Sequence, residues 1–284
     1  MTAYVMACID GSRFSAAVCD YASWASRRLQ APLTFVHVLN RTYVPVEPDF
    51  SGNIGVGARE HLLGELAALD EQRSKIAQAH GRVLLEEACQ RAIDQGVAAP
   101  ATSQRNGELV GALTELEQDA RLVVLGKRGE SGQIVSEHLG SNLERVVRAL
   151  HRPILVTVDD YREPGRAMLA FDNSDTTRRG VEMLAASPLL KGLECHLVTV
   201  GDDSDAVREG LAWAERTLHD AGIAVTVSVR DGEVEETLEA YVRDNAIDLL
   251  VMGAYGHSRI RRLLIGSTTT TLIRNTTVPL LLLR

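Results

Sequence analysis

The sequence lacks the long apolar run that a membrane-spanning helix needs, since no stretch approaches about 18 consecutive apolar residues. The N-terminus enters a strand-like run directly, without the charged region and cleavable apolar segment of a secretory signal, so we expect a cytoplasmic protein. The net charge of −8 disfavours non-specific electrostatic binding to nucleic acid or anionic lipid. Small molecules and proteins are therefore the expected partners.

Several motifs of metal sites and enzymes are also missing. The cysteines show no Cys-x-x-Cys spacing and no metal-like pairing with histidine, so we expect four buried free thiols: Cys8, Cys19, Cys89 and Cys195. There is no P-loop lysine motif and no Gly-x-Gly-x-x-Gly after the first strand, which argues against an ordinary NTPase or dehydrogenase. A nucleophile elbow and a zinc-protease motif are absent as well. We therefore expect a protein that is not an enzyme.

What the sequence does contain is a glycine loop between an apolar run and a helix-like stretch. Gly253 and Gly256 follow the apolar run that ends at Met252, and Gly266 and Ser267 come after nine intervening residues. Glycine lets backbone N–H groups approach a ligand closely, and the first amides of a helix have no intrahelical partner. This loop predicts an anion cradle, and hence a nucleotide site.

The chain repeats itself. Three features recur in order: a strand that ends in aspartate, the glycine loop, and a terminal apolar strand led by proline. The matched pairs are Asp10 with Asp172, Gly126 with Gly253, Gly129 with Gly256, Gly140 with Gly266, Ser141 with Ser267, and Pro153 with Pro279. We predict two homologous domains, 1–159 and 165–284, joined by a short polar linker.

Each copy alternates strand-like and helix-like periods, which predicts an α/β fold with a parallel sheet between two helix layers. In the second copy we expect strands at 166–172, 193–200, 224–230, 248–253 and 278–283, and a helix over 204–221. The first copy carries an extra segment at about 41–80 with a helical, charged second part. Both a partner-binding lid and a solvated excursion fit this segment.

This combination of strand, aspartate, Gly-x2-Gly-x9-Gly-Ser loop and Pro-led terminal strand resembles the universal stress protein family in its tandem form. The resemblance implies two Rossmann-like domains of the HUP type, each a five-stranded sheet in the order 3-2-1-4-5 with its ligand at the carboxyl ends of the strands. It also implies ATP as the ligand. Mg²⁺ or Mn²⁺ is allowed as a companion of the phosphates, although the sequence shows no carboxylate cage for it.

Carried onto the second domain, the resemblance assigns Asp172 to the adenosine, the backbone of Val200 to the adenine edge and Met252 to the neighbourhood of the base. The remaining positions would hold ribose and phosphates: Gly253, Gly256, Gly266, Ser267, Thr268 and Thr269. The loop also contains His257, Arg259, Arg261 and Arg262, which either add positive potential or are ordinary exposed side chains.

The first domain departs from this pattern. Its matching positions are Asp10, Val38, Gly126, Gly129, Gly140 and Ser141, but ten residues separate the last two glycines instead of nine. Asn142, Leu143 and Glu144 replace the threonines that follow Ser267, which brings a carboxylate toward the site. Lys127 and Arg128 would add positive charge. Nucleotide binding by this domain is left open.

We therefore expect a stress-linked regulator or switch that binds ATP mainly in its C-terminal domain. Two alternatives stay open: a nucleotide-free dimeric interaction module, and a slow ATP-hydrolysing enzyme or ATP-using transferase without a recognisable catalytic group. The terminal strands of the two copies are expected to pair within one chain as a pseudo-twofold dimer. A homodimer of the whole chain would need a second surface, such as the segment at 41–80.

Overall fold

The computed structural model describes residues 3–39, 56–129, 141–254 and 267–284. Its ten strands are β1 (Tyr4–Cys8), β2 (Leu33–Leu39), β3 (Ala101–Asn106), β4 (Ala120–Gly126), β5 (Ile154–Thr157), β6 (Arg166–Ala170), β7 (Glu194–Val200), β8 (Val225–Arg230), β9 (Leu249–Gly253) and β10 (Leu280–Leu283). The α-helices of these residues are α1 (Ser15–Leu29), α2 (Val56–Asp94), α3 (Leu109–Leu116), α4 (Ser141–Ala149), α5 (Asp175–Ala185), α6 (Asp205–Asp220), α7 (Val234–Asp244) and α8 (Ser267–Asn275). Strands and helices alternate along most of the chain, as the sequence predicted.

All ten strands belong to one sheet, in the order β3-β2-β1-β4-β5-β10-β9-β6-β7-β8. Each half has the predicted order 3-2-1-4-5 and parallel pairing within itself. The halves meet where β5 and β10 pair antiparallel, with Leu155 opposite Leu281. The predicted pairing of the terminal strands is therefore present within the chain, and we call this β5/β10 pairing the seam.

The core consists of two apolar layers, one on each face of the sheet. One layer lies under α1, α2, α5 and α6, and the other under α3, α4, α7 and α8. Side chains alternate between the faces along β10, since Leu281 and Leu283 belong to the first layer whereas Leu280 and Leu282 belong to the second. Both layers contain residues of both halves, so the seam lies inside a continuous core.

The junction between the halves is held by specific contacts. The ring of Tyr161 packs edge-on against Tyr21 of α1, with 4.8 Å between the ring centroids. The backbone N–H groups of Gly165 and Arg166 donate to Oδ2 of Asp248, at 3.1 and 3.0 Å. The expected polar linker is thus anchored to both halves.

The 39-residue helix α2 begins within the extra segment of the first half and extends beyond it. Its C-terminal part packs on the sheet through Leu85, Ala88 and Ala92, all of which are buried. From residue 61 to residue 80, by contrast, nearly every side chain is exposed. The described part of the segment is therefore a solvent-exposed helix, while residues 40–55 lie outside the described ranges.

The four cysteines are free thiols. Cys19 and Cys195 are buried as expected, whereas Cys8 and Cys89 are half-buried. Burial raises the pKa of the Cys19 thiol to about 12 and that of Cys195 to about 11. Neither thiol is activated by its surroundings, which fits a packing role. In the described ranges, no helix combines the length and apolar character that crossing a bilayer requires.

Candidate functional site

The predicted site of the second half lies where three neighbouring strands end. The register of the sheet aligns Leu169 of β6 with Leu197 of β7 and with Val251 of β9. Asp172 follows β6, Val200 ends β7 and Gly253 ends β9. Because the strands are parallel, the sheet brings these three positions to one edge, as the sequence predicted.

Asp172 is exposed, and the first turn of α5 orients it. Its Oδ1 accepts hydrogen bonds from the backbone N–H of Ser174 at 3.0 Å and from Oγ1 of Thr177 at 2.8 Å. Ser174 is also the N-cap of α5, since its hydroxyl accepts a bond from the backbone N–H of Thr177 at 3.4 Å. The helix cap and the candidate ligand-binding carboxylate thus form one hydrogen-bonded unit.

Gly253 allows the end of β9 to approach this unit closely. A Cβ placed on Gly253 would lie 3.3 Å from the Cγ2 atoms of both Thr176 and Thr177. A side chain here would press on these two methyl groups, which lie in the turn that holds Asp172. The position favours glycine for packing reasons, in addition to any contact with a ligand.

Val200 and Met252 supply apolar surface at the same edge. Met252 is 7% exposed and belongs to the core layer under α7 and α8, and the half-buried Val200 packs against that layer. The side chain of Met252 thus serves mainly the core, and its backbone lies at the edge where a base was expected.

Helix α8 begins at Ser267, so Ser267, Thr268 and Thr269 occupy its first turn, where backbone amides lack intrahelical partners. Leu272 and Ile273 fix the helix by packing into the core. Gly256, Gly266 and the basic loop residues lie outside the described ranges.

The first half repeats the arrangement around Asp10. Asp10 follows β1, Val38 lies near the end of β2, Gly126 ends β4, and Ser141 begins α4, while Gly140 lies outside the described ranges. Oδ1 of Asp10 accepts from the backbone N–H of Ser12 at 3.0 Å and lies 3.4 Å from Oγ of Ser15.

The hydroxyls that hold the two aspartates were missed in the sequence. Ser15 and Thr177 each follow their aspartate by five positions. A hydroxyl residue at the same offset in both copies was the signal that would have revealed this pair.

The two halves differ in access to the aspartate. A Cβ on Gly129 would lie 2.6 Å from Oδ2 of Asp10, so the chain that follows β4 comes directly against this carboxylate. Asp10 is half-buried, whereas Asp172 is exposed. Nearby, His37 is 7% exposed, with its Nδ1 2.8 Å from the carbonyl oxygen of Ile9, which makes it a packed residue.

Lys127 does not serve the first site as the sequence suggested. Its Nζ donates to the carbonyl oxygen of Thr276, just beyond the end of α8 in the other half, at 2.9 Å. Burial, together with the positive charge of the neighbouring Arg128, lowers the pKa of this ammonium to about 8. Glu144, expected to bring negative charge toward the site, is paired with Arg148 one turn along α4. Both side chains thus have partners within the protein that the sequence did not reveal.

Within the described ranges, no group of three or more His, Cys, Asp or Glu side chains is placed to hold a metal ion.

Comparison with known proteins agrees with this architecture. The model of the universal stress protein family matches residues 1–157 and 202–284. The chain belongs to the universal stress protein family. Universal stress protein Slr1230 of Synechocystis sp. is 36% identical over 285 residues, which covers 99% of each chain. Universal stress protein MT2052 of Mycobacterium tuberculosis is 24% identical over 97% of this chain and 93% of its own.

A solved structure shows the same fold. The crystal structure of a universal stress protein from Archaeoglobus fulgidus superposes with a TM-score of 0.72 at 20% identity, over 98% of this chain and 97% of the other. The family is thus represented by chains with the same two-part architecture.

Proposed function

We propose that this protein is a cytoplasmic, stress-linked regulator that binds ATP through its second half. The observation that carries the proposal is the contrast between the two aspartates. Asp172 is exposed and oriented by Ser174 and Thr177, whereas Asp10 is half-buried against Gly129. The second half therefore carries the more exposed of the two carboxylates.

The residues around Asp172 fit an adenine nucleotide chemically. The Asp172 carboxylate can accept hydrogen bonds from ribose hydroxyls, and the backbone at Val200 can meet the edge of the base. The first turn of α8 directs unpaired amides and partial positive charge toward the phosphates. In a chain with net charge −8, these amides compensate for the missing P-loop lysine. Mg²⁺ or Mn²⁺ would be held mainly by the phosphates themselves.

The first half favours a different role. Because Gly129 lies against Asp10, a nucleotide there would require the chain after β4 to move. We infer that this half serves mainly as a nucleotide-free partner of the second, which is the interaction-module alternative applied to one half of the chain.

Matched substitutions test the assignment. Isothermal titration with ATP should give one tight site per chain in the wild type. Asp172→Asn should weaken that site by about 10- to 100-fold, because hydrogen bonds to charged groups contribute about 1.5–3 kcal/mol. Asp10→Asn should leave it unchanged. Equal losses in both variants, or full affinity in Asp172→Asn, would contradict the proposal, and failure of the wild type to bind ATP would favour a nucleotide-free module.

Turnover separates a binding protein from an enzyme. Without a P-loop lysine or a group identified as activating water, ATP should remain largely intact over many minutes at neutral pH. The measurement is ADP release by the repurified wild type and by Asp172→Asn. Rapid multiple turnover in the wild type that disappears in the variant would favour the enzyme alternative instead.

A further inference from the structure

Helices α4 and α8 each lead into a strand of the seam, and both end in a buried residue. The backbone N–H of Leu150 donates to the carbonyl oxygen of Val146 at 3.0 Å, and that of Thr276 donates to the carbonyl oxygen of Leu272 at 2.9 Å. These bonds close the last turn of each helix. The carbonyl oxygens of Leu150 and Thr276 themselves lie beyond that turn, so they need partners from outside the helix.

In both helices a basic side chain of the opposite half supplies the partner. Nζ of Lys127 donates to the carbonyl oxygen of Thr276 at 2.9 Å, and Nε of Arg284 donates to that of Leu150 at 2.7 Å. A second guanidinium nitrogen of Arg284 donates to the same oxygen. A positive charge at the C-terminal end of a helix is stabilising, because it faces the negative end of the helix dipole. Each half therefore stabilises the end of a helix that belongs to the other.

The antiparallel seam explains why these contacts cross between the halves. Leu280, at the start of β10, lies opposite Val156, near the end of β5. Lys127 is tied to this end of β5, since its backbone N–H donates to the carbonyl oxygen of Thr157 at 3.0 Å. Its side chain thereby reaches the segment between α8 and β10. Arg284 follows β10 and reaches the segment between α4 and β5 in the same way.

The acceptors of these two contacts correspond in the repeat, whereas the donors do not. Lys127 takes the place of Ala254, whose backbone N–H donates to the carbonyl oxygen of Leu283 at 3.0 Å and so repeats the backbone bond of Lys127. Arg284 takes the place of Val158. Since the side chains of alanine and valine cannot donate a hydrogen bond, neither contact has a copy by repeat symmetry. Each can therefore be removed separately, with the other as its control.

We propose that Lys127 is a positioning residue for the nucleotide site of the second half: it holds the end of α8 from across the seam and thereby strengthens ATP binding at the other end of this helix. Helix α8 has nine residues, so its two ends are only about 13 Å apart. Its first turn, at Ser267, is the one assigned to the phosphates. The effect on ATP rests on the proposed function, whereas the hold on α8 does not.

Amide hydrogen exchange of the nucleotide-free chain tests the hold on α8. Lys127→Met should speed exchange in residues 267–275 by about 5-fold or more and leave residues 141–149 unchanged. Arg284→Met should have the reverse effect, because it releases α4 instead. Equal acceleration of both helices in Lys127→Met would mean general destabilisation, and unchanged exchange in α8 would mean that Lys127 does not hold it. Either result would overturn the proposal.

Titration with ATP at pH 7 tests the consequence for the site. The dissociation constant should rise by about 3- to 10-fold in Lys127→Met and stay unchanged in Arg284→Met. Lys127→Arg, which keeps the charge, should bind ATP nearly as well as the wild type. Equal affinities of the wild type and Lys127→Met would overturn the effect on ATP. A wild type that binds no ATP would instead contradict the proposed function, and amide exchange alone would then decide whether Lys127 holds α8.

The pH dependence separates the charge of Lys127 from its bulk. The charged groups around its ammonium are Arg128 next to it, Asp159 after β5 and Glu239 of α7. Because burial lowers the pKa of Lys127 to about 8, the wild type loses this charge between pH 7 and 9, whereas Lys127→Arg keeps it. Over this range the dissociation constant for ATP should rise by about 3-fold more in the wild type than in Lys127→Arg. Parallel pH profiles would show that the charge does not act on the site and would overturn the proposal.

Discussion

The seam predicts that the two halves unfold as one unit, and the position of the tryptophans allows this to be measured. The sequence has two tryptophans. Trp24 lies in α1 of the first half and Trp213 in α6 of the second. Replacing either one with phenylalanine leaves a single tryptophan, whose fluorescence reports on the unfolding of one half. Because both core layers cross the seam, we expect the two single-tryptophan variants to give coincident urea transitions.

A substitution at Leu281 tests how strongly the seam couples the stability of the two halves. It is 1% exposed and faces Leu155 across the seam. Leu281→Ala should cost about 2–5 kcal/mol through lost burial and the cavity that remains. For a chain of this size, that cost lowers the urea midpoint by about 0.5–1.5 M. The same shift should be seen by Trp24, although Leu281 belongs to the other half.

A double-mutant cycle isolates the contact across the seam. Leu155→Ala combined with Leu281→Ala should be non-additive by about 0.5–3 kcal/mol, because the two side chains share one site. The control pair is Leu155→Ala with Leu218→Ala, in which Leu218 is a buried residue of α6 that is 3% exposed; this pair should be additive. The reasoning would be refuted by separate transitions for the two tryptophans in the wild-type background, or by a Leu281→Ala shift that only Trp213 detects.

Two further predictions concern single side chains near the seam. The pKa of Lys127 in the folded protein, about 8, lies below the ordinary 10.5, so the unfolded chain binds more protons between these values. The contribution of Lys127 to the free energy of unfolding should therefore increase as the pH rises from 8 toward 10.5. The measurement is the urea midpoint of the wild type minus that of Lys127→Met, which should increase over this pH range. A difference that does not change with pH would contradict the prediction. A Cβ on Gly180 of α5 would collide with the side chain of Leu283, whereas one on Gly111 of α3 would meet nothing within 4 Å. In thermal unfolding, Gly180→Ala should be destabilised by about 1–3 kcal/mol, and Gly111→Ala should be unchanged or stabilised by up to about 1 kcal/mol. Equal stabilities of the two variants would argue against the close packing of α5 on β10.

The repeat made most of the fold predictable. Alternation of apolar periods located the strands, and the predicted helix over 204–221 is α6, Asp205–Asp220. The positions of Asp172, Val200 and Gly253 followed from strand polarity alone, since the carboxyl ends of parallel neighbours share an edge. These are local or topological properties, which one sequence encodes directly.

Features that depend on tertiary contacts could not be predicted in the same way. Lys127 follows β4 in the sequence, so it was assigned to the nearest phosphate loop, but the register of the seam brings the carbonyl of Thr276 to it. The approach of Gly129 to Asp10 depends on the path of one loop, which glycine spacing does not determine. For the extra segment, the sequence left a lid and a solvated excursion open, because a helical pattern does not show what it packs against; the structure shows residues 61–80 mostly exposed.

The reversal of strand direction at the seam determines which surfaces of the molecule one partner can contact. The carboxyl ends of β1 and β4 lie on one edge of the sheet and those of β6 and β9 on the opposite edge, so the crevices beside Asp10 and Asp172 open in opposite directions. One flat partner surface therefore cannot cover both of these edges. Any coupling between them has to pass through the body of the molecule, and the bond from Lys127 to Thr276 links the edge that carries Asp10 to the second half.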